Sequence, residues 1–464
     1  LIFSFLRGVR FLFENLCASF EKWFELFVIF CGVMYGLLFG IIPTAGPTTA
    51  LLTSFIFLPY FYNDPYLGVL FYTALVAACT TGDTWSSILL GIPGSSSSAA
   101  TVVDGYPIAR SGRATLALSS AFTSSTLCGI LFGSLVFFFM PYYAKLLLVF
   151  GVLELLLLNI FALLCVVFLI KENKLLGLLG VAIGFLFGYV GIDENNAQRL
   201  TFGYTYFSSG IPISIFVSGL FAIPELVNLF VNKPKVENLN ANLKHVILGL
   251  KSWYKYKKVA LTGGAIGSFV GALPGVHGIV ADWLSYGRAK REHPHSRVAG
   301  VVGPEGANNA VHAASFVPTV VFGIPGTPFA AVILSLFFML HFELGSIDIQ
   351  FDDKFFDTLA IGYIGGTLLV GLLCLILSVP ITWILKVPPR IYAVIIFILI
   401  CWSCYQVTNT KFDIITLVIC SALGIMAKTF SINRPAILLA FILFPKIEAL
   451  SYQTIGIYNI NISF

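Results

Sequence analysis

The sequence predicts an all-α polytopic membrane protein made of two repeated units, each interrupted by short breaks in its apolar helices. Three observations carry this reading. Hydrophobic residues make up 58% of the chain and charged residues only 11%, whereas a soluble domain carries roughly a quarter charged. Apolar runs recur at 146–170, 368–385 and 391–401, and a bilayer core about 30 Å thick needs about 20 apolar residues per helix. A pair of proline–glycine motifs also appears twice, in the same order. A single large buried core would need far more polar surface than this chain has to hide so many runs.

Residues 5–24, carrying Arg7, Arg10, Glu14, Glu21 and Lys22, read as an N-terminal interfacial amphipathic helix (segment 1–24) and not as a span or a cleavable signal. The chain opens on Leu1 without a methionine, so a few preceding residues are expected. The first unit, 25–230, contains Gly36-Leu-Leu-Phe-Gly40-Ile-Ile-Pro43-Thr44-Ala45-Gly46 and then Gly91-Ile92-Pro93-Gly94. The second unit, 259–464, contains Gly267-Ser-Phe-Val-Gly271-Ala-Leu-Pro274-Gly275 and then Gly323-Ile324-Pro325-Gly326. Pro43 to Pro93 is 50 positions and Pro274 to Pro325 is 51. Two ordered motifs at matched spacing indicate a duplicated unit.

Between the units lies a basic linker, 231–258, with Lys233, Lys235, Lys244, Lys251, Lys255, Lys257 and Lys258. The positive-inside rule places it in the cytoplasm. Arg288, Lys290, Arg291 and Arg297 form a second basic stretch soon afterwards. If both are cytoplasmic, the segment between them enters and returns as a re-entrant hairpin with its tip at 273–278. Arms of that length reach about 20 Å, enough for the midplane but not for a crossing. A single kinked span with the second basic stretch outside is the alternative. Around Gly323–Gly326 the expected arms are 308–322 and 327–341, since Pro325 and Pro328 oppose a continuous helix. By symmetry Pro43 and Gly91–Gly94 are the tips of the first unit. The number of crossings is open at 47–62, so inverted topology is expected by analogy alone.

Hydrocarbon tolerates broken helices only where they are buried in protein or line a wet cavity. Broken helices meeting at mid-membrane in a duplicated chain are the pattern of secondary transporters. A helix that begins just after a break points N–H groups and positive dipole at it, a site suited to carboxylate or phosphate. Ser95, Ser96, Ser97 and Ser98 follow Gly94, and Thr327 follows Gly326; their hydroxyls add donors without charge. The candidate substrate residues are therefore Pro43, Thr44, Gly46, Gly94, Ser95, Ser96, Pro274, Gly275, Asn308, Asn309, Gly326 and Thr327. Close helix packing through small residues is the competing explanation of the same glycines. Asp83, Ser86 and Glu305 are candidates for a coupling cation, because charge at membrane depth is a functional suspect; helix capping is their alternative. His277 and His312 read as packing residues, Asp104 and Arg110 as interfacial, and Arg199 as a loop end. Glu154 opens a span, with structure and function evenly open.

The nine cysteines are scattered through apolar segments, and Cys401-Trp-Ser-Cys404 has no second pair beside it, so packing is expected and no metal set is assigned. No cofactor is called for, and no aromatic–basic pattern suggests nucleic acid. An intramembrane serine or aspartate hydrolase lacks a histidine near Ser95–Ser98 and a second aspartate near Asp83. An ungated anion channel is a further alternative.

At "ILLGIPGSSSSAATVVDGYPIARSG", "GIDENNAQRLTFG", "PEGANNA" and "VVFGIPGTPFAAV" the chain resembles the large membrane subunit of the tripartite tricarboxylate transporter family, over about residues 32–448. The resemblance implies an elevator-like secondary transporter of the bacterial inner membrane that imports a small-molecule carboxylate, with Na+ or H+ as coupling ion. It also implies two partners, a periplasmic solute-binding protein and a small four-helix membrane subunit. The chain departs from the family pattern at Pro43-Thr44-Ala45-Gly46, at His277 and at "LFPKIE", changes that bear on substrate identity.

Overall fold

The computed structural model describes residues 20–42, 46–91, 93–146, 151–169, 174–192, 197–224, 226–227, 243–273, 278–345, 352–378, 389–405 and 407–458. Pro43, Thr44, Pro274, Gly275 and His277, most of the N-terminal segment and the first half of the basic linker lie outside them.

The chain is helical almost throughout. Its first half runs α1 (Phe20–Ile41), α2 (Gly46–Thr53), α3 (Pro65–Leu90), α4 (Ala99–Ile108), α5 (Ala114–Leu146), α6 (Val152–Leu169), α7 (Lys174–Gly188) and α8 (Ile213–Val217). The second half runs α9 (Leu243–Lys255), α10 (Lys257–Gly271), α11 (Gly278–Glu292), α12 (Arg297–Phe316), α13 (Pro328–Met339), α14 (Asp353–Leu377), α15 (Pro389–Tyr405), α16 (Lys411–Thr429) and α17 (Arg434–Tyr458). One two-residue antiparallel ribbon, β1 (Gly191–Ile192) with β2 (Gln198–Arg199), follows α7. Among the described residues six helical stretches are long and apolar enough to cross a membrane. The second half of the expected linker is α9 and the start of α10.

Two helices carry the interior. In α3 every residue from Gly68 to Leu90 is buried, and in α12 every residue from Ala299 to Phe316. Both are rich in small residues, Ala, Ser and Thr in α3 and Gly and Ala in α12, which lets neighbouring backbones approach closely. Gly32, Gly36 and Gly40 of α1 lie against the carbonyls of Phe71, Leu75 and Cys79 of α3. Gly263, Gly267 and Gly271 of α10 lie against those of Gly303, Ala307 and Val311 of α12. Residue numbers rise together on both sides of each contact, so each pair runs parallel. Parallel packing settles the open stretch at 47–62. Since α1 and α3 point the same way, α2 and the 3-10 helix Ser54–Phe61 must bring the chain back to the starting side. Helix α11 does the same between α10 and α12.

The Gly-Ile-Pro-Gly stretches differ from the expected symmetric tips. Gly91 ends α3 at φ +69°, and Gly323 stands at φ +62° just beyond a π-helical turn, Val317–Val321. Left-handed backbone of this kind favours glycine, and it turns the chain back along the helix it has just left. Gly94 consequently packs on Asp83, where an added Cβ would sit 2.5 Å from the Asp83 Cβ. Phe329 likewise meets His312, with ring centroids 4.9 Å apart. The deep ends are thus Gly94–Ser95 and Gly326–Thr327, and the helices flanking them are unequal: long α3 and α12 before, short α4 and α13 after. The cause is the reversal at the first glycine, which the motif alone does not reveal.

Asp104 is buried within the protein and holds Lys290 of the second basic stretch at 3.1 Å. Arg199 is more than a loop end: it pairs with Glu448 at 2.7 Å and lies over the Tyr189 ring at 4.7 Å. Glu154 is exposed in the first turn of α6. Cys401 and Cys404 are free thiols on α15, Cys404 buried beside Ser218.

Two glycines separate packing from propensity. A Cβ at Gly267 would fall 2.6 Å from the Ala307 carbonyl oxygen, so Gly267→Leu should destabilise by roughly 1–3 kcal/mol through overpacking. At Gly287 of α11 an added Cβ meets nothing within 4 Å, so Gly287→Ala should stabilise by roughly 0.5–1 kcal/mol. Thermal denaturation of the purified variants should give shifts of opposite sign.

Candidate functional site

The breaks converge. Around a cavity of about 430 Å³ stand Gly46, Pro47, Thr48 and Thr49 from the start of α2, and Pro93, Gly94, Ser95 and Ser97 from the first fold-back. Ala99 at the start of α4, Gly278 at the start of α11, Thr327, Pro328 and Phe329 at the start of α13, and Arg434 and Pro435 at the start of α17 complete it, with His312 and Phe221. The tips also touch one another: an added Cβ on Gly46 would lie 3.6 Å from the Gly94 oxygen, and one on Gly278 would lie 2.9 Å from Ser97.

Local sequence explains each helix start. Proline occupies the first turn of α2, α13 and α17 (Pro47, Pro328 and Pro435), where its missing N–H breaks no helical bond. Thr327 caps α13 by accepting the Ala330 N–H at 3.3 Å. Ser95 accepts the Ser97 N–H at 3.3 Å, and Ser98 bonds back to the Ser95 amide at 3.3 Å, closing a capping box. Helix starts collect unpaired N–H groups and positive dipole. Arg434 is the one charged side chain among the described lining residues other than histidine; its guanidinium also rests 5.2 Å from the Phe221 ring centroid. No carboxylate lines the cavity among the described residues. The electrostatic sign is set by helix ends and one arginine.

Behind the tips lies a buried polar layer. Asp83 is fully buried and accepts from the Ser95 hydroxyl and, at 3.3 Å, from Asn308 Nδ2. Asn308 also donates to the Thr80 carbonyl at 3.1 Å, and Asn309 to Thr81 Oγ1 at 2.8 Å. Glu305, equally buried, accepts from Thr84 at 2.9 Å and Thr101 at 2.8 Å. Asp282 of α11 accepts the Ala100 N–H at 2.6 Å. Contacts of α12 with α3 run in opposite order along the two chains (305 to 84, 309 to 81), so these central helices are antiparallel.

Of the sequence-derived candidates, Gly46, Gly94, Ser95 and Thr327 line the cavity, and Gly326 lines a small cleft beside it against Pro435 and Leu438. Ser96 begins the capped turn. Asn308 and Asn309 sit one layer back, bonded to α3. Asp83 and Glu305 flank them, while the Ser86 hydroxyl is spent on the Asp83 carbonyl at 3.0 Å. His312 combines packing with the lining: its Nδ1 lies 2.9 Å from the Asn308 carbonyl. Sequence reasoning missed Arg434, Phe221, Thr48, Thr49 and Asp282. For Arg434 a signal existed, a lone cation followed by proline at the mouth of an apolar run in "SINRPAILLAF". For Asp282 there was none, since "ADWLSYGRAKRE" looks like the wet face of a basic helix.

A ligand-sized cleft lined by helix starts, inside a bundle with six helical stretches long and apolar enough to cross a membrane, is the architecture of a multi-pass membrane protein with a small-molecule site. The profile of the Tripartite tricarboxylate transporter TctA family matches residues 26–439. The chain belongs to that family; it is a transporter and not an enzyme, one part of a tripartite system. It is 30% identical over 456 residues to "Uncharacterized 52.8 kDa protein in TAR-I ttuC' 3'region" of Agrobacterium vitis, covering 94% of this chain and 89% of that one. A second Agrobacterium vitis protein, "Uncharacterized protein in TAR-II ttuC' 3'region", is 32% identical over 193 residues, 39% of this chain and 78% of its own length. No solved structure matches the chain.

The two capping hydroxyls should differ in weight. Thr327→Ala removes a cap, about 1 kcal/mol. Ser95→Ala removes a cap and also strips a donor from buried Asp83, for roughly 2–4 kcal/mol in all. Paired thermal unfolding curves should rank the losses in that order.

Proposed function

We propose that the cavity binds the substrate of a secondary active transporter that imports di- or tricarboxylates into bacteria across the inner membrane. The observation that carries this reading is the gathering of five helix starts and Arg434 around one cavity with no described carboxylate in its wall. A polyanion entering it meets positive dipole ends from several directions and a guanidinium suited to bidentate pairing with a carboxylate. The relevant tips come from both halves, which favours a carrier whose halves close on the substrate over an open channel.

Inverted repeats fit the same picture. The glycine triplets of α1 and α10 occur at identical spacing, against carbonyls at identical spacing on α3 and α12. The two matching central helices nevertheless run antiparallel. With the basic linker in the cytoplasm, α10–α11 enters and returns from that side and α1–α2 from the other, as re-entrant hairpins of an elevator-like carrier. Asp83 and Glu305 would hold the coupling ion, Na+ or H+, with Ser86 acting through the helix that carries Asp83. A periplasmic solute-binding protein would deliver substrate, and a small four-helix membrane subunit would accompany the chain.

Uptake of radiolabelled citrate and succinate by cells expressing the chain with both partners tests this. Saturable uptake is expected, abolished by Gly94→Leu and Gly326→Leu while the protein remains in the membrane. Arg434→Gln should raise KM at least ten-fold with little change in protein level. Uptake that stays normal in both glycine variants removes the cavity from the pathway, and flux that never saturates favours a channel.

A further inference from the structure

Two motifs of the sequence, "GIDENNAQRLTFG" and "LFPKIE", take no part in the substrate cavity, and the fold brings them to one place. A second cavity, of about 300 Å³, is lined by Tyr189 and Arg199, by Ser208 and Ser209, and by Pro445 and Glu448 of α17. Arg199 Nη1 donates to Glu448 Oε1 at 2.7 Å, and the guanidinium lies 4.7 Å from the Tyr189 ring centroid. The two charged side chains are 10% and 23% exposed, so the pair is set in the cavity wall and not on open surface. Glycine shapes the rim: Gly191 (φ +135°) and Gly210 (φ +76°) hold backbone that favours it. A Cβ added to Gly191 would stand 3.2 Å from the Gly210 amide nitrogen.

Helix α17 joins this cavity to the first. Its Arg434 lines the substrate cavity and its Leu438 a cleft of about 10 Å³ beside Gly326 and Thr327, while Phe441, Pro445 and Glu448 line the second cavity. These five positions recur at spacings of four and three, so they share one face of the helix. At 1.5 Å per residue that face is about 21 Å long. Three hollows thus follow one helix face, with an arginine at either end and a middle no larger than a single water needs. The Arg199 end lies away from the basic stretch Arg288–Arg297. Helix α12 starts at Arg297 and leads to Phe322, whose carbonyl accepts from Lys446 Nζ at 2.6 Å. With the basic stretch in the cytoplasm, Arg199 and Glu448 stand on the side from which an imported substrate arrives.

We propose that the second cavity is an outer subsite for the carboxylate substrate, where Arg199 exchanges Glu448 for a carboxylate of the incoming acid. The identity of the ligand rests on the carrier reading. A partly buried ion pair adds little net stability, because lost hydration offsets most of the attraction. A substrate carboxylate can therefore replace Glu448 without a large loss. The guanidinium suits bidentate pairing with the newcomer, and the Tyr189 ring beside it favours a cation held in that place. Glu448 has two effects. It compensates Arg199 while the cavity is empty, and it competes with the bound acid, so that the acid is released toward Arg434. A pair that only fastened the ribbon to α17 would need no hollow beside it.

Citrate and succinate are the probes, in equilibrium binding to the purified full-length protein and in uptake by cells expressing it with both partners. Two molecules of the transported acid should bind per native chain. Arg434→Gln and Arg199→Gln should each leave one, and the double variant none. Arg199→Gln should raise the uptake KM about ten-fold, the worth of a charge-assisted hydrogen bond. Glu448→Gln, which removes the competing carboxylate, should instead lower KM and tighten outer binding. That gain cannot arise from misfolding, so the test survives a failure of Arg199→Gln to fold. A purely structural pair moves both variants the same way, in protein level and thermal midpoint, and leaves KM in place; this result overturns the subsite. So does a single bound acid that Arg434→Gln abolishes and Arg199→Gln spares, an outcome in which the carrier reading stands. Two sites lost one by one without any uptake overturn the carrier reading and leave the outer site. No binding of either acid at millimolar concentration overturns both.

Discussion

Hydrocarbon cannot hydrogen-bond, and the architecture depends on that constraint. Any backbone break or polar side chain at membrane depth must find its partner in the protein. Helices α3 and α12 lead into the two Gly-Ile-Pro-Gly breaks and carry Asp83, Glu305, Asn308 and Asn309, and both are enclosed along most of their length. Their enclosure is made possible by glycine. Stripes at Gly32–Gly36–Gly40 and Gly263–Gly267–Gly271 bring α1 and α10 into backbone contact with them. A third stripe, Gly180–Gly184–Gly188 on α7, brings in α17, whose first turn supplies Arg434. Close packing and the candidate site are therefore one problem with one solution, and the contest between packing and binding as explanations of the small residues is partly dissolved.

How much of this was legible depends on the residue. The spacing of Pro43 to Pro93 and Pro274 to Pro325 located the four breaks, because proline and glycine interrupt helices for local reasons. The direction taken after each break was not legible. "PTTALLTSFIFLPYFYND" suits a crossing or a return equally well, and only the parallel register of α1 on α3 decides for return. The depth of the fold-backs was hidden for a similar reason: whether Gly91 reverses the chain depends on a φ angle and not on composition. Asn308 and Asn309 were legible as polar residues in an apolar run, but their bonds to Thr80, Thr81 and Asp83 arise from long-range pairing. Asp282 was invisible because its own helix is amphipathic and basic, and its burial comes from α4 and α12.

Charge in the site is divided between two layers. The cavity wall carries partial positive charge from helix starts, which cannot be titrated away and needs no counter-ion. The layer behind it holds the buried carboxyl groups of Asp83, Asp282 and Glu305, where negative charge is costly unless it is compensated. Ser95 belongs to both, capping its turn on one side and donating to Asp83 on the other. An anion in front and a cation behind would then favour each other across a single hydroxyl layer. Such attraction is strong in a low-dielectric interior and weak in water. Linkage is reciprocal, so under the proposed function whichever ion bound first would raise affinity for the other.

Arg434 sharpens the argument. A cation at the start of a helix stands against the dipole, at a cost of about 0.3–1 kcal/mol near a surface. Here the opposing field comes from the ends of α2, α11, α13 and α17 together, with the capped turn before α4, and the guanidinium is turned onto the Phe221 ring and near the Leu220 carbonyl, 3.5 Å away. The field that opposes a cation at this place is the one that favours an anion between them. A monoanion would need only one of these elements, whereas in the proposed carrier a second or third carboxylate would engage helix ends away from Arg434. Selectivity among acids should therefore follow the number and spacing of their carboxylates more than the shape of the carbon skeleton joining them.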